Sequence, residues 1–257
     1  MTDPQSVVRN RVLAALPHDD YTRICSHLTP ASLQARQTLQ KRDEPLTHVY
    51  FPGRTLCSLV LTMEDGASAE IAVVGSEGIV GAEAAFGLRV ASCDAVVQVA
   101  GEGQAYAMTV DAFRAELARH GALELHVRRF NQALMGFVTQ SVACNALHSV
   151  RERCCRWLLH AQDRLASSEL PLTQDLLSTM LGVRRPTVTL VVSDLARLGI
   201  ISTSRRMIRI DDRSALETHA CGCYARVKDV FDTLLATDSA KTSHRESSSS
   251  FSVQPSS

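Results

Sequence analysis

The chain has 257 residues, 45% of them hydrophobic and 21% charged, with no net charge at neutral pH. That is enough apolar material for one large domain or two ordinary ones, and it excludes a globally disordered chain. No apolar run approaches the roughly 18 residues of a membrane span, and the opening MTDPQSVVRNRVL has no basic segment leading into an apolar stretch, so a soluble cytoplasmic protein without a signal peptide is expected.

Along the chain, the first forty residues read as short helices, VVRNRVLAAL and then DDYTRICSHL, punctuated by Pro17 and Pro30. From about Leu39 the pattern changes to HVYFPG, TLCSLVLTM, AEIAVVG, DAVVQVA and QAYAMTV, short β-branched runs separated by Gly53, Asp65-Gly66, Gly75 and Gly101-Glu102-Gly103. Many short strands with glycine turns predict an antiparallel sheet folded on itself as a sandwich or barrel. Gly75-x-x-Gly78-x-x-Gly81 lies between such strands rather than opening a dinucleotide-binding helix.

Helix returns at Thr109, and a long run follows from about His120 to Leu147. Leu123, Val127, Phe130, Leu134, Phe137 and Ser141 alternate in steps of four and three, continuing to Cys144 and His148. That spacing predicts a heptad seam on which two copies of the helix pair, a core helix of a monomer being the alternative. RERCCRWLLHAQDRL is a further helix, and the Ser-rich stretch beyond about Thr237 has no apolar periodicity and reads as a disordered tail.

Eight cysteines without an export signal argue against a disulfide framework. Cys221-x-Cys223 beside His219 offers three ligands within five residues, but no second pair stands at zinc-finger spacing, and no iron–sulfur set lies near the N-terminus. Ordinary reduced cysteines are expected, and no metal.

Charge is distributed unevenly: residues 1–118 carry a net −5, residues 119–150 +2 and residues 151–235 +3, with six Arg against two Asp in residues 171–210. That basic segment coincides with a motif. Thr173 is a helix N-cap, Asp175 an acid in the first turn, and Leu176, Leu177, Met180 and Leu181 an apolar stripe closed by Gly182. A second helix begins around Arg184-Arg185-Pro186, buries Val188, Val191, Val192, Leu195 and Leu198, and stops at Gly199. IISTSRRMIRI then reads as strand, turn and strand with Arg205 and Arg206 at the turn. Helix, tight glycine turn, helix and basic hairpin is the arrangement that lays a recognition helix in a DNA major groove.

On these residues, positions 15–235 resemble the Crp–Fnr family of bacterial transcription regulators. The stretch VYFPGRTLCSLV with DGASAEIAVVGSEGIVGAEAAFG looks like its β-roll, and TQDLLSTMLGVRRPTVTLVVSDLARLGII like its helix-turn-helix. The resemblance implies an α+β chain: a double-stranded β-helix or jelly-roll sensor at 1–118, a dimerisation helix at 119–148, a winged helix-turn-helix at 149–236 and a tail at 237–257. Its effector pocket maps onto Gly81, Ala82, Glu83, Arg89, Ser92 and Cys93. Where the family's cyclic-AMP pocket has Gly-Glu for the ribose and Arg-Ser for the phosphate, this chain has Gly81-Ala82 and Ser92-Cys93, with Glu83 one residue out of register and Arg89 three residues early. Cyclic-nucleotide binding is therefore not expected, nor any other cofactor. At the reader, Arg185-Pro186 and Leu190 replace the family's Arg-Glu and later Arg, so the operator should differ.

The expected function is sequence-specific regulation of transcription by a homodimer on a palindromic operator. Thr173, Gln174, Arg184, Arg185, Thr187, Thr189, Arg205 and Arg206 are the expected DNA contacts. The partners are double-stranded DNA, a second copy and RNA polymerase, with no membrane. A regulator that senses a ligand or partner without binding DNA specifically is the alternative. No catalytic spacing is present, neither H-E-x-x-H nor G-x-S-x-G nor a P-loop.

Overall fold

The computed structural model describes residues 8–101 and 105–235. The expected tail at 237–257 lies outside the described residues, as does part of the Gly101-Glu102-Gly103 turn.

Two short helices, α1 (Arg11–Ala14) and α2 (His18–Cys25), open the described chain. Asn10 caps α1 through its Oδ1, while its Nδ2 donates to the carbonyls of Pro52 (3.1 Å) and Gly78 (2.8 Å). This buried amide pins the N-terminal segment to the sheets.

Strand begins earlier than the sequence pattern suggests. β1 (Thr29–Ala31) and β2 (Thr38–Gln40) fall within the forty residues read as helical. Three-residue strands are too short to show an alternation, so only their pairing partners define them. β3 (His48–Phe51), β4 (Thr55–Thr62), β5 (Ser68–Val74), β6 (Asp94–Ala100) and β7 (Ala105–Thr109) match the predicted runs. They form two antiparallel sheets in the orders β1-β7-β3 and β2-β6-β4-β5, a jelly-roll. β6 alternates between half-buried and buried residues, the period-2 signature of a sheet covered mainly on one face. β4 is buried along most of its length because helices pack on its second face.

The glycine series serves packing. A Cβ at Gly78 would lie 2.3 Å from the Phe130 ring, and Gly81 holds φ +85° against Gln40.

α3 (Val110–Leu117) starts at Thr109, whose hydroxyl accepts from Ala112 N. α4 (Ala122–Leu147) is the long helix, and α5 (Val150–Leu165) follows through a capping box of Ser149 and Glu152. A two-stranded pairing then ties β8 (Glu169–Leu170) to β10 (Met207–Ile210) of the wing, Leu170 facing Ile208. Two C-terminal helices, α8 (Arg213–His219) and α9 (Cys223–Leu235), close the described chain.

Most of the predicted dimer seam lies against its own protomer. Leu123, Val127, Phe130 and Phe137 are buried inside the protomer, and Leu134 and Ser141 are half-buried. Over Phe130 and Phe137 the cover is α9, whose Phe231 ring lies 6.4 Å from the first and 6.3 Å from the second, while α1, α3 and β5 also pack on α4. An apolar stripe reports that it will be covered, not by which chain, and a helix far downstream in sequence fills that role. The opposite face of α4 carries a second repeat in steps of three and four: Leu125, Arg128, Gln132, Met135, Thr139 and Val142, all exposed.

Candidate nucleic-acid interface

α6 (Gln174–Leu181) and α7 (Arg185–Arg197) are joined by Gly182 at φ +62°, the left-handed residue that ends one helix and turns the chain into the next. Thr173 Oγ1 accepts from Leu176 N at 3.1 Å, which fixes the start of α6. Arg184 is the N-cap of α7, and Pro186 sits in its first turn, where no helix hydrogen bond is lost. Val188, Val192 and Leu195 anchor α7 to the core; Val191 is half-buried, and Leu198 is exposed rather than part of the stripe. Gly199 at φ +70° leads into β9 (Ile201–Ser204), which pairs with β10 around the Arg205-Arg206 turn.

Five of the predicted contact residues, Thr173, Gln174, Arg185, Arg205 and Arg206, line one groove, and Thr189 is bonded to Gln174. Arg184, Arg185, Thr189, Arg205 and Arg206 are exposed, while Thr173, Gln174 and Thr187 are half-buried. Thr189 Oγ1 donates to Gln174 Oε1 at 2.7 Å, so the two helices of the motif are coupled through their polar side chains. Arg185 Nε lies 3.2 Å from Asp175 Oδ1, both side chains about two-thirds exposed. Among the described residues, Arg184, Arg205 and Arg206 have no carboxylate within ion-pair distance. Three unneutralised guanidinium groups around a helix N-terminus and a hairpin turn make a strongly anion-seeking surface. Leu190 is also exposed on α7.

No signal in the sequence points to what this face meets. A groove of ≈ 500 Å³ is lined by Thr173, Gln174, Arg185, Arg205 and Arg206 together with Arg36 of the jelly-roll. A neighbouring cleft places Ala35, Arg36 and Gln98 opposite Thr173, Asp175 and Arg206. Behind it, Trp157 Nε1 of α5 donates to Glu70 Oε1 of β5 at 2.8 Å, and Ser58 bridges the other Glu70 oxygen and the Met180 sulfur (3.3 Å). Although Glu70 as a residue is half-buried, its carboxyl is enclosed, and burial pushes its pKa up to about 7 against the hydrogen bonds from Ser58 and Trp157. No local pattern in the sequence links positions 36, 70 and 98 to the reader.

The effector-pocket residues gather around a 3-10 turn, Ala82–Phe86, that begins at Gly81. Ala82 and Cys93 are buried, Glu83 is half-buried, and Arg89 and Ser92 are exposed. Burial, then Glu83, pushes the Cys93 thiol up to about 11, and the guanidinium that acts on it is that of Arg42. Among the described residues, no helix is long and apolar enough to cross a membrane.

Comparison with known families matches residues 30–120 to the cyclic nucleotide-binding domain and residues 152–219 to the Crp-like helix-turn-helix domain. No curated protein matches the chain. Among solved structures, it is similar to a CRP-family transcriptional regulator from Thermus thermophilus, 23% identical, covering 73% of this chain and 95% of that one with a TM-score of 0.61. It is likewise similar to FixK2 from Bradyrhizobium japonicum (20% identical, 76% and 98% covered, TM-score 0.58). A third is the c-di-GMP responsive global regulator CLP of Xanthomonas campestris (12% identical, 76% and 99% covered, TM-score 0.60). At these identities the structures speak for the shared fold.

Proposed function

We propose that this chain, which belongs to the Crp–Fnr family of transcription regulators, reads a palindromic operator as a homodimer, one α7 in each of two successive major grooves. The supporting observation is the groove that gathers Arg185, Arg205 and Arg206 between the start of α7 and the wing, with exposed Arg184 as the α7 N-cap. In this reading Arg184 and Arg185 reach base edges, with Thr187 and Thr189 beside them. Thr173, Gln174, Arg205 and Arg206 hold phosphates and so set the register. Half-sites lie about one helical turn, ~34 Å, apart. The chain acts through binding, with no catalytic step of its own, and RNA polymerase is the partner that converts binding into regulation.

The second copy of α4 would pack on the outward repeat from Leu125 to Val142. Met135 and Val142 are about two-thirds exposed in the protomer and apolar, which is how an a/d seam looks before its partner arrives. The jelly-roll acts as the signal-receiving half, because Arg36 and Gln98 share the clefts of the reader and a duplex needs that face clear. Its signal is not a cyclic nucleotide: the exposed Arg89 and the buried Cys93 thiol offer no enclosed guanidinium for a cyclic phosphate.

Selection of bound fragments from genomic DNA, followed by gel shifts across a salt series, tests the reading. Affinity should fall steeply with salt, with a log–log slope of about 0.9 per phosphate contacted. A flat salt dependence, or equal binding to all fragments, would sink it. Sedimentation of Met135→Glu/Val142→Glu tests the seam: a monomer is expected, and an intact dimer would place the interface elsewhere.

A further inference from the structure

A cluster that DNA binding does not use sits where α4 meets α5. Cys144 and His148 lie at the C-terminal end of α4; Cys221 and Cys223 lie at the start of α9, far away in sequence. Their four donor atoms all fall within 4.8 Å of one another. Cys144 Sγ is 3.4 Å from Cys221 Sγ, and Cys223 Sγ is 3.6 Å from His148 Nδ1. His219, the histidine adjacent in sequence, is turned away with its Nδ1 2.8 Å from the Ala215 carbonyl. The three cysteines form a buried cluster of their own, separate from the main core.

We propose that Cys144, His148, Cys221 and Cys223 bind one zinc ion in a closed Cys₃His site. Zinc takes thiolates at ~2.3 Å and imidazole at ~2.0–2.1 Å in a tetrahedron, which sets neighbouring donors roughly 3.5–3.8 Å apart. Two of the donor pairs, at 3.4 and 3.6 Å, stand close to that spacing. A polynuclear iron–sulfur cluster inserts layers of iron and sulfide between its thiolates and needs them spread wider. Soft thiolate with imidazole selects zinc over magnesium or calcium. Four protein ligands leave no open position, so the site is structural rather than catalytic.

The surroundings fit the charge. Three thiolates and a dication leave one net negative charge in a buried place. Arg156 is buried close to Cys144, and among the described residues it has no hydrogen-bond partner for its Nε and no carboxylate within ion-pair distance. Coordination releases the three thiol protons to solvent as the three zinc–sulfur bonds form, with neutral His148 giving its Nδ1 lone pair. Gln140 Nε2 donates to Cys223 Sγ at 3.0 Å, an outer hydrogen bond that orients a ligand. His148 is the C-cap of α4, and Ser149 caps α5, so the ion would clamp α8 and α9 onto the hinge between the long helix and the reader.

The full chain, purified under reducing conditions, is assayed for metal content and, after chelation, for cobalt(II) uptake. One ion per chain is expected, with thiolate-to-cobalt absorption in the near ultraviolet and the intense visible bands of a tetrahedral site. Cys221→Ser/Cys223→Ser should lose the ion, His148→Cys should keep it with an altered cobalt spectrum, and Cys25→Ser, at an exposed position elsewhere, should keep it unchanged. Where the double variant fails to fold, the parent decides: its Tm should fall on chelation and recover with zinc but not magnesium. A folded parent that takes up neither metal, an ion that survives Cys221→Ser/Cys223→Ser, or a Tm indifferent to chelation and zinc would overturn the proposal. So would a Cys144–Cys221 disulfide in the protein as isolated.

Discussion

Two arginine–carboxylate pairs in this molecule have similar geometry and opposite meanings. Arg164 Nε meets Glu77 at 2.7 Å, both side chains 6–7% exposed, with the guanidinium also 5.6 Å from the centroid of the Phe137 ring. Arg185 Nε meets Asp175 at 3.2 Å with both side chains about two-thirds exposed. The first pair joins the jelly-roll to α5 and is shielded from water. The second sits in water, where attraction is screened and a phosphate or a guanine can replace the carboxylate at little cost. Burial, more than the identity of the residues, makes one arginine a strut and leaves the other free to take a new partner.

The sharpest way to break that contrast is to remove the buried acid. Glu77→Ala strands Arg164 without a counter-charge, and we expect a loss of about 3–5 kcal/mol in urea unfolding. A loss below about 1 kcal/mol, the range of exposed pairs, would erase the distinction.

Glu70 probes the same seam by titration. Its pKa is raised from 4.5 to about 7, so the folded state prefers the protonated carboxyl. The stabilising contribution is complete below pH ~4.5, declines as pH rises through ~7 and stays lost above, up to about 3 kcal/mol in all. Unfolding midpoints measured at about pH 5 and about pH 8 should show this decline in the parent and a flattened one in Glu70→Gln. An unchanged pH dependence in the variant would remove Glu70 from the account.

On the exposed side, Arg185→Ala should weaken operator binding by about 1–3 kcal/mol, roughly 5- to 150-fold. Stability should move by no more than about 0.5 kcal/mol. Unaltered affinity would mean that the recognition helix is misassigned. The smallest effect belongs to Asp175→Asn, which releases Arg185 from its competitor. Gel shifts should show equal or slightly tighter binding, by ~0.5 kcal/mol or less, with no change in thermal stability. A clear loss of affinity would make Asp175 part of the reading surface instead.

The reader was legible in the sequence because its signals are local. A Thr173 cap, a Gly182 turn, Pro186 in a first turn and a wing marked by Arg205 and Arg206 each act within a few residues, and the backbone adopts them wherever the segment is placed. The jelly-roll strands were legible for the same reason, down to the Asp65-Gly66 turn, except where β1 and β2 are too short to show a period. What only the tertiary structure decided is which surface covers which. The stripe from Leu123 to Phe137 reads as a dimer seam until α9 is seen lying on it. Cys221 and Cys223 read as ordinary thiols beside His219 until the fold brings Cys144 and His148 to them instead. Periodicity states that a face must be hidden and residue type states what chemistry is on offer; the partner in both cases is set by contacts across 75 residues or more, which no local rule encodes.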